Sequence, residues 1–342
     1  MTSDTASPGA AAGAAAPVPP ARPLPPEEFA ARFRRLCEAV CLVVRGKPET
    51  VELTLICLLA EGHLLIEDVP GVGKTTIARS LAAAVGTPWS RIQFTPDLLP
   101  SDVTGVSVYD QRSATFVFRP GPVFAGVVLA DEINRASPKT QSALLEVMEE
   151  RHVTVDGVAH PVPAPFVVVA TQNPVDMDGT YPLPEAQLDR FLMRISVGYP
   201  DTDAEVAVLN GRREARRVSD IQPATNAAQV QQMIRAAESL YVADALCRYI
   251  VRVVAATRDV PQVRLGASPR GSLALLRSVQ VRAASQGRSF ATPDDVKALA
   301  VPVLAHRILL TTEGHVKGLT PTAVVEGALA SVEVPHDVEG RS

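Results

Sequence analysis

The chain has 342 residues, of which 46% are apolar and 20% charged, and its net charge is −4. That composition can bury a sizeable core and leaves room for two domains. It argues against a protein whose main task is gripping phosphate backbones, which would carry a positive balance, and no apolar run in the sequence approaches the ~18 residues needed to cross a bilayer.

Residues 1–26 are rich in Ala, Pro and Gly and hold few large apolar side chains. Such a segment cannot offset its own ordering entropy and is expected to be a disordered tail. It has no basic stretch leading into an apolar one, so it does not read as a secretory signal. Cys37, Cys41, Cys57 and Cys247 form no CxxC pair and read as free thiols of a reducing compartment. A cytoplasmic location is expected. From residue 27 to 44, Phe29, Phe33, Leu36, Val40 and Val44 recur at three- and four-residue steps, which predicts an amphipathic helix. After a break at 45–48 a second helix runs to about residue 60.

Residues 63–194 alternate apolar strands with helical patterns. Strands are expected over 64–67, 91–94, 127–130 and 166–170, and helices over 74–84 and 138–150, the second with Ser137 as N-cap and Pro138 at N1. Short, near-continuous apolar strands suit a parallel sheet buried on both faces, so the expected fold is a doubly wound α/β core. Two hairpins interrupt it. One pairs 106–109 with 115–118, and the other pairs 153–155 with 158–160 across Asp156-Gly157, a strong two-residue turn signal. Beyond residue 200 the strand signals fade. Helices are expected over 203–216, 226–256, 269–286 and 293–306, the last with Thr292 as N-cap and Asp294 and Asp295 in its first turn. The chain thus divides into a tail (1–26), an α/β core with two hairpin insertions (27–200) and a smaller all-helical domain (201–335).

The strand at 64–67 runs into Asp68-Val69-Pro70-Gly71-Val72-Gly73-Lys74-Thr75-Thr76 and then a helix, the context a P-loop (Walker A) requires. Successive amides from Val69 to Thr76 and the helix N-terminus form an anion cradle, and Gly71 and Gly73 let backbone approach phosphate without a Cβ in the way. Lys74 brings a cation to the β- and γ-phosphates, and the Thr75 hydroxyl is placed to ligate Mg²⁺. The general spacing asks for Gly at position 68. A carboxylate there would repel phosphate, so Asp68 is expected to point away.

The strand at 127–130 ends in Asp131-Glu132, a Walker B pair at the edge where a parallel sheet presents its ligand crevice. Asp131 can hold Mg²⁺ through its waters, and Glu132 can polarise the attacking water. The strand at 166–170 ends in Thr171-Gln172-Asn173-Pro174. Asn173 is the choice for orienting that water, although an Asn before Pro in isolation is more often a turn residue. The six histidines are too scattered to form a metal set, and Trp89 reads as a packing residue.

Together these stretches resemble the MoxR family of AAA+ ATPases. So do Asp131-Glu132-Ile133-Asn134-Arg135, Gln141-Ser142-Ala143-Leu144-Leu145-Glu146, Leu183-Pro184-Glu185-Ala186-Gln187-Leu188-Asp189-Arg190-Phe191 and Gly266-Ala267-Ser268-Pro269-Arg270, in family order from about residue 27 to 330. The resemblance implies an ATP-hydrolysing motor that needs ATP and Mg²⁺. Arg190 matches an arginine finger that reaches a neighbouring subunit's nucleotide, with Arg194 the weaker alternative. Arg270 matches a second sensor at the start of a lid helix. The turn at Val44-Arg45-Gly46-Lys47 sits where the family contacts adenine through residues such as Val44 and Gly46, with Lys47 where Gln is usual. It further implies a homo-oligomeric ring of six, hairpins that touch clients, and chaperone-like maturation or metal insertion on protein clients with von Willebrand factor A-type (VWA) partners. A magnesium-chelatase-like motor and a helicase-like nucleic-acid motor share many of these motifs, and a nucleotide switch that barely hydrolyses ATP is a further alternative. The net negative charge and the lack of a basic, aromatic-interleaved segment speak against the nucleic-acid reading.

Overall fold

A computed structural model describes residues 24–174, 180–199 and 217–335 of the protein. The helix expected over 203–216 and nearly all of the expected tail lie outside these residues. Two helices open the chain, α1 (Pro26–Cys41) and α2 (Pro48–Leu59), each with proline in its first turn. Proline's missing N–H is no loss there, and its φ is already helical. α1 buries Phe29, Phe33, Leu36 and Val40, four members of the predicted stripe.

Strand β1 (Leu64–Glu67) leads through the glycine loop into α3 (Lys74–Val85) and then β2 (Trp89–Gln93). A short helix α4 (Pro100–Thr104) starts the first insertion, the antiparallel hairpin of β3 (Gly105–Asp110) and β4 (Thr115–Pro120). Next come β5 (Val127–Asp131) and α5 (Pro138–Glu150), whose N-cap Ser137 accepts a hydrogen bond from the Thr140 amide. The second hairpin, β6 (His152–Val155) with β7 (Val158–Pro161), follows. The core ends with β8 (Val167–Gln172), a single helical turn α6 (Glu185–Leu188) and β9 (Met193–Ile195).

The five core strands are parallel, in the order β2-β5-β8-β1-β9. Strand alternation divides their side chains between two apolar layers. Leu64, Ile66, Val127, Leu129, Val167 and Val169 join the layer shared with α1 to α3 and the C-terminal helices. Leu65, Val128, Ala130, Val168 and Ala170 pack with Leu144, Leu145 and Met148 of α5. Each large aliphatic side chain buried this way contributes about 1.5–3 kcal/mol. The α/β P-loop core therefore carries its catalytic-edge loops on a sheet covered on both faces.

The C-terminal part is a helical lid of α7 (Ala227–Glu238), α8 (Asp244–Ala256), α9 (Pro269–Ser285), α10 (Pro293–Leu304), α11 (Thr312–Val316) and α12 (Pro321–Ser331). Thr292 and Asp295 form the capping box of α10. Two expectations need correction. Residues 226–256 are two helices, because the Gln280 side chain takes the carbonyls of Glu238 and Leu240 and Tyr241 bridges Phe290, so the chain turns there. The fifth sheet strand, β9, and the small pair β10 (Val263–Leu265) with β11 (Leu309–Leu310) carry no periodic signal and were not expected. Trp89 is 38% exposed at the sheet edge, where the Arg79 guanidinium packs over its ring. Among the described residues no helix is long and apolar enough to cross a membrane.

Candidate functional site

The glycine loop lies at the carboxyl end of β1. Gly71 and Gly73 adopt φ of 88° and 95°, where an L-residue is strained, and a Cβ on either would meet no atom within 4 Å. The space above the loop is therefore open to a ligand. Asp68 does point away. Its Oδ2 accepts from the Ser196 hydroxyl at 2.9 Å and from the amides of Val197 (2.7 Å) and Gly198 (2.6 Å), and its Oδ1 accepts from the Val69 amide at 2.8 Å. Burial opposes its ionisation, but these hydrogen bonds outweigh that and hold the carboxyl below its ordinary range. Lys47 of the 44–47 turn donates to the Tyr199 carbonyl at 2.8 Å, and Gly46 has φ of 72°. The segment 196–199 thus ties the predicted adenine turn to the root of the P-loop. Val44 itself is buried.

Lys74, the first residue of α3, donates from Nζ to the carbonyls of Asp68 (2.5 Å) and Gln172 (3.2 Å), at the ends of β1 and β8. Burial lowers its pKa, opposed by the charges of Asp68, Asp131 and Glu132. The acidic pair therefore faces the same crevice. Asp131 Oδ1 accepts from Thr171 Oγ1 at 2.7 Å, and Oδ2 accepts from Arg91 Nη2 at 2.6 Å. The Glu132 amide donates to the same Thr171 hydroxyl at 2.9 Å, and its Oε2 accepts from Gln93 Nε2 (3.1 Å) and Arg135 Nη1 (3.2 Å). Glu132 has φ of 56°, a strained conformation for a glutamate and one that clusters at functional sites. Asn173 follows directly on β8, next to the Gln172 carbonyl that holds Lys74. Residue typing alone did not single out Thr171, Arg91 or Gln93, and Thr171, buried between both acids, is the organiser of the pair.

The donor set fits magnesium with ATP. Thr75 and Asp131 offer hard oxygens, and Mg²⁺ takes most of its ligands from phosphate and water. It therefore needs no cluster of protein ligands, and among the described residues no group of three His, Cys, Asp or Glu could hold a metal.

Arg190 and Arg270 lie elsewhere. Arg190 precedes β9, the Leu192 amide donates to the His63 carbonyl just before β1, and Arg190 Nη1 donates to the Leu145 carbonyl at 2.8 Å. Arg190 Nη2 is 3.2 Å from Glu149 Oε2, and Arg270 pairs with the other oxygen of Glu149. Both guanidinium groups thus sit at the amino edge of the sheet. The P-loop is beyond the carboxyl edge, a four-residue strand or about 13 Å further on. Arg194 instead pairs with Glu67 at 2.9 Å. One more ion pair joins core to lid: Arg307 Nε lies 2.9 Å from Asp189 Oδ1, and the α9 N-cap Ser268 donates to Asp189 Oδ2 at 3.0 Å. Burial draws the Arg307 pKa down to about 10, opposed by Asp189.

The hairpins carry exposed aromatics. Tyr109 and Phe116 make an edge-on pair with centroids 5.4 Å apart at the tip of the first, and Phe118 stacks on His160 of the second at 4.0 Å.

Comparison with known proteins agrees with this fold. Residues 63–193 match the family model "ATPase family associated with various cellular activities (AAA)", and residues 255–327 match the AAA lid domain. The chain is 41% identical to Chaperone MoxR1 of Mycobacterium tuberculosis, across 98% of this chain and 94% of that protein. It is 48% identical to the uncharacterized protein YeaC of Bacillus subtilis, across 87% and 93% of the two. A crystal structure of a candidate ATPase from Cytophaga hutchinsonii superposes with a TM-score of 0.85 at 35% identity, covering 91% of this chain and 97% of that one.

Proposed function

The chain belongs to the MoxR family of AAA+ ATPases, and from that premise we propose that it hydrolyses ATP at a site shared by two copies and uses the turnover to remodel a protein client. One observation supports this best: the P-loop and acidic pair occupy the carboxyl edge of the sheet, while Arg190 and Arg270 occupy the amino edge. A subunit so built holds two halves of different sites, and a ring brings them together.

In this reading the amides of residues 69–76 and Lys74 bind the phosphates, with Val44 and Gly46 on the adenine side. Thr75 and Asp131 would hold Mg²⁺, which would supply neutralisation of the phosphate charge. Glu132 takes the proton of the attacking water, and Asn173 orients that water. Gln93 and Arg135 hold the Glu132 carboxylate by its Oε2, and its amide is fixed to Thr171. Arg190 and Arg270 of the adjoining copy meet charge developing on the γ-phosphoryl group, a role worth ~10³–10⁵ in rate for arginine fingers.

The proposal extends to a six-membered ring, and to hairpins whose exposed Tyr109 and Phe116 touch the client. It also includes a partner with a VWA-type domain and work of the chaperone or metal-insertion kind. A division near residue 200, with the lid running to about 335, completes it. The decisive variant is Glu132→Gln. It should bind ATP as the wild type does and lose ~10²–10⁴ in turnover. Unchanged turnover would remove Glu132 from the mechanism.

A further inference from the structure

Arg190 and Arg270 come from distant parts of the chain, one before β9 and one at the start of α9, yet both end on the carboxylate of Glu149, near the C-terminus of α5. We propose that Glu149 is a positioning residue that holds the two arginines side by side, so that they meet a neighbouring copy's triphosphate as one unit. This rests on the proposed ATPase reading.

Two guanidinium groups brought together repel, and without a shared anion they would splay apart. Glu149 removes that repulsion, leaving the trio with a single positive charge that still attracts phosphate. The arrangement is specific in its details. Arg190 Nη2 lies 3.2 Å from Oε2, Arg270 takes Oε1, and Arg190 Nη1 is fixed on the Leu145 carbonyl one turn earlier on the same helix. The backbone is matched as well. Ser268, two residues before Arg270, donates to Asp189, the residue before Arg190. The side chains remain accessible, at 31% for Arg190, 50% for Arg270 and 36% for Glu149, and they border an open cleft of about 350 Å³. Glu149 pairs with the arginines at the edge of the sheet opposite its own P-loop, so it acts through them.

The test is steady-state ATPase kinetics on the full chain at high protein concentration. It compares wild type, Glu149→Ala, Glu149→Asp, Arg270→Ala and the Glu149→Ala/Arg270→Ala double variant. Glu149→Ala should lower kcat by about 10- to 100-fold, the effect of misplacing a catalytic group by about an ångström. Its KM for ATP should stay within about twofold, because its own P-loop is untouched. Glu149→Asp keeps the charge and should recover part of the loss. In the Arg270→Ala background, removing Glu149 should add little, since residues acting as one unit do not combine additively. Normal or raised kcat in Glu149→Ala overturns the inference, as do losses that multiply in the double variant. If Glu149→Ala fails to fold, Glu149→Gln keeps the shape and takes its place. A wild-type chain with no turnover at any concentration overturns the ATPase reading itself, and this inference with it. An active wild type beside a normal Glu149→Ala overturns the positioning role alone.

Discussion

Replacing Asp68 by glycine gives the loop its general P-loop spelling, and the structure predicts that this harms the protein. The Asp68 carboxylate accepts four hydrogen bonds, three from backbone amides and one from Ser196. Hydrogen bonds to a charged acceptor contribute ~1.5–3 kcal/mol each, and a buried donor left unsatisfied costs ~1–3 kcal/mol. The four are not additive. Ser196 is exposed and Gly198 half-buried, so water can replace the carboxylate there, whereas Val197 is buried. The net loss for Asp68→Gly should therefore be about 3 kcal/mol, including the extra freedom glycine gives the unfolded chain. At the m-value of a chain this size, that lowers the urea midpoint by about 1 M. Asp68→Asn, which keeps one acceptor oxygen, should fall between. ATP affinity should fall too, because the backbone carbonyl of residue 68, which holds Lys74, loses the side-chain anchors that fix it. The sign with pH is fixed: a carboxyl held below its ordinary range stabilises the fold at neutral pH, and that contribution fades as pH falls through its lowered pKa. Measurement at pH 7 therefore sees the whole effect. An Asp68→Gly protein that unfolds at the wild-type midpoint would refute the reasoning.

Two further outcomes follow from the same geometry. Lys74→Ala and Arg190→Ala chains should each be nearly inactive, and mixing them in equal amounts should restore about a quarter of wild-type turnover, the chance that an intact P-loop meets an intact arginine. No recovery in a mixture that still assembles would place Arg190 in its own copy's site. The second outcome concerns pH. His63 accepts the Val168 amide at Nδ1 (3.0 Å) and faces the Met148 carbonyl with Nε2 (3.0 Å), an arrangement that fits the neutral ring. Burial pushes its pKa down to about 3, aided by Arg151 and opposed by the Met148 contact. The unfolded chain then binds the extra proton between about pH 6.5 and 3, so stability should drop as pH falls, by about 1 kcal/mol between pH 7 and 5.5 from His63 alone. Buried His306 is shifted the same way and adds to the loss. Urea midpoints that stay level across that interval would count against the neutral, buried ring.

What could be read ahead of the structure was local. The range 138–150 coincides with α5 because Ser137, Pro138 and the apolar spacing all lie within one stretch of chain. Asp156 and Gly157 take φ of 50° and 78°, the left-handed pair that Asp tolerates and Gly, without a Cβ, adopts freely in a tight hairpin turn. The P-loop needed only strand, glycines, lysine and helix in order. The unread parts depend on partners distant in sequence. Met193–Ile195 is a strand because β1 offers it a free edge. The residues that take up the Asp68 charge, Ser196 to Gly198, belong to another segment altogether. Glu149 is one acid in a run with Glu146 and Glu150 that reads as a solvated helix face, and only the folded chain brings Arg190 and Arg270 to it. Thr171 has the most ordinary of side chains, and its role depends on strands β5 and β8 lying side by side.

Helix α5 carries contacts to both halves of the proposed site. Its first turn belongs to the acidic half-site: the Gln141 side chain donates from Nε2 to the carbonyls of Ile133, Ala136 and Tyr181, clamping the helix to the turn that follows Glu132. Its last turn belongs to the arginine half-site through Glu149 and the Leu145 carbonyl. Gln141 and Glu149 stand eight residues apart, about 12 Å of helix. Immediately beyond, Arg151 turns the chain at φ of 59° into the second hairpin, whose His160 stacks on Phe118 of the first. Arg151 is itself fixed, donating to the Phe166 and Glu61 carbonyls at 2.6 Å, so this bend is a rigid joint. A helix clamped at both ends moves as a body. α5 thus joins the turn after Glu132, the Glu149 contact with the two arginines and the root of the second hairpin in one helical element. In a ring, that would link events at a subunit's own nucleotide to what it presents to its neighbour and to its client.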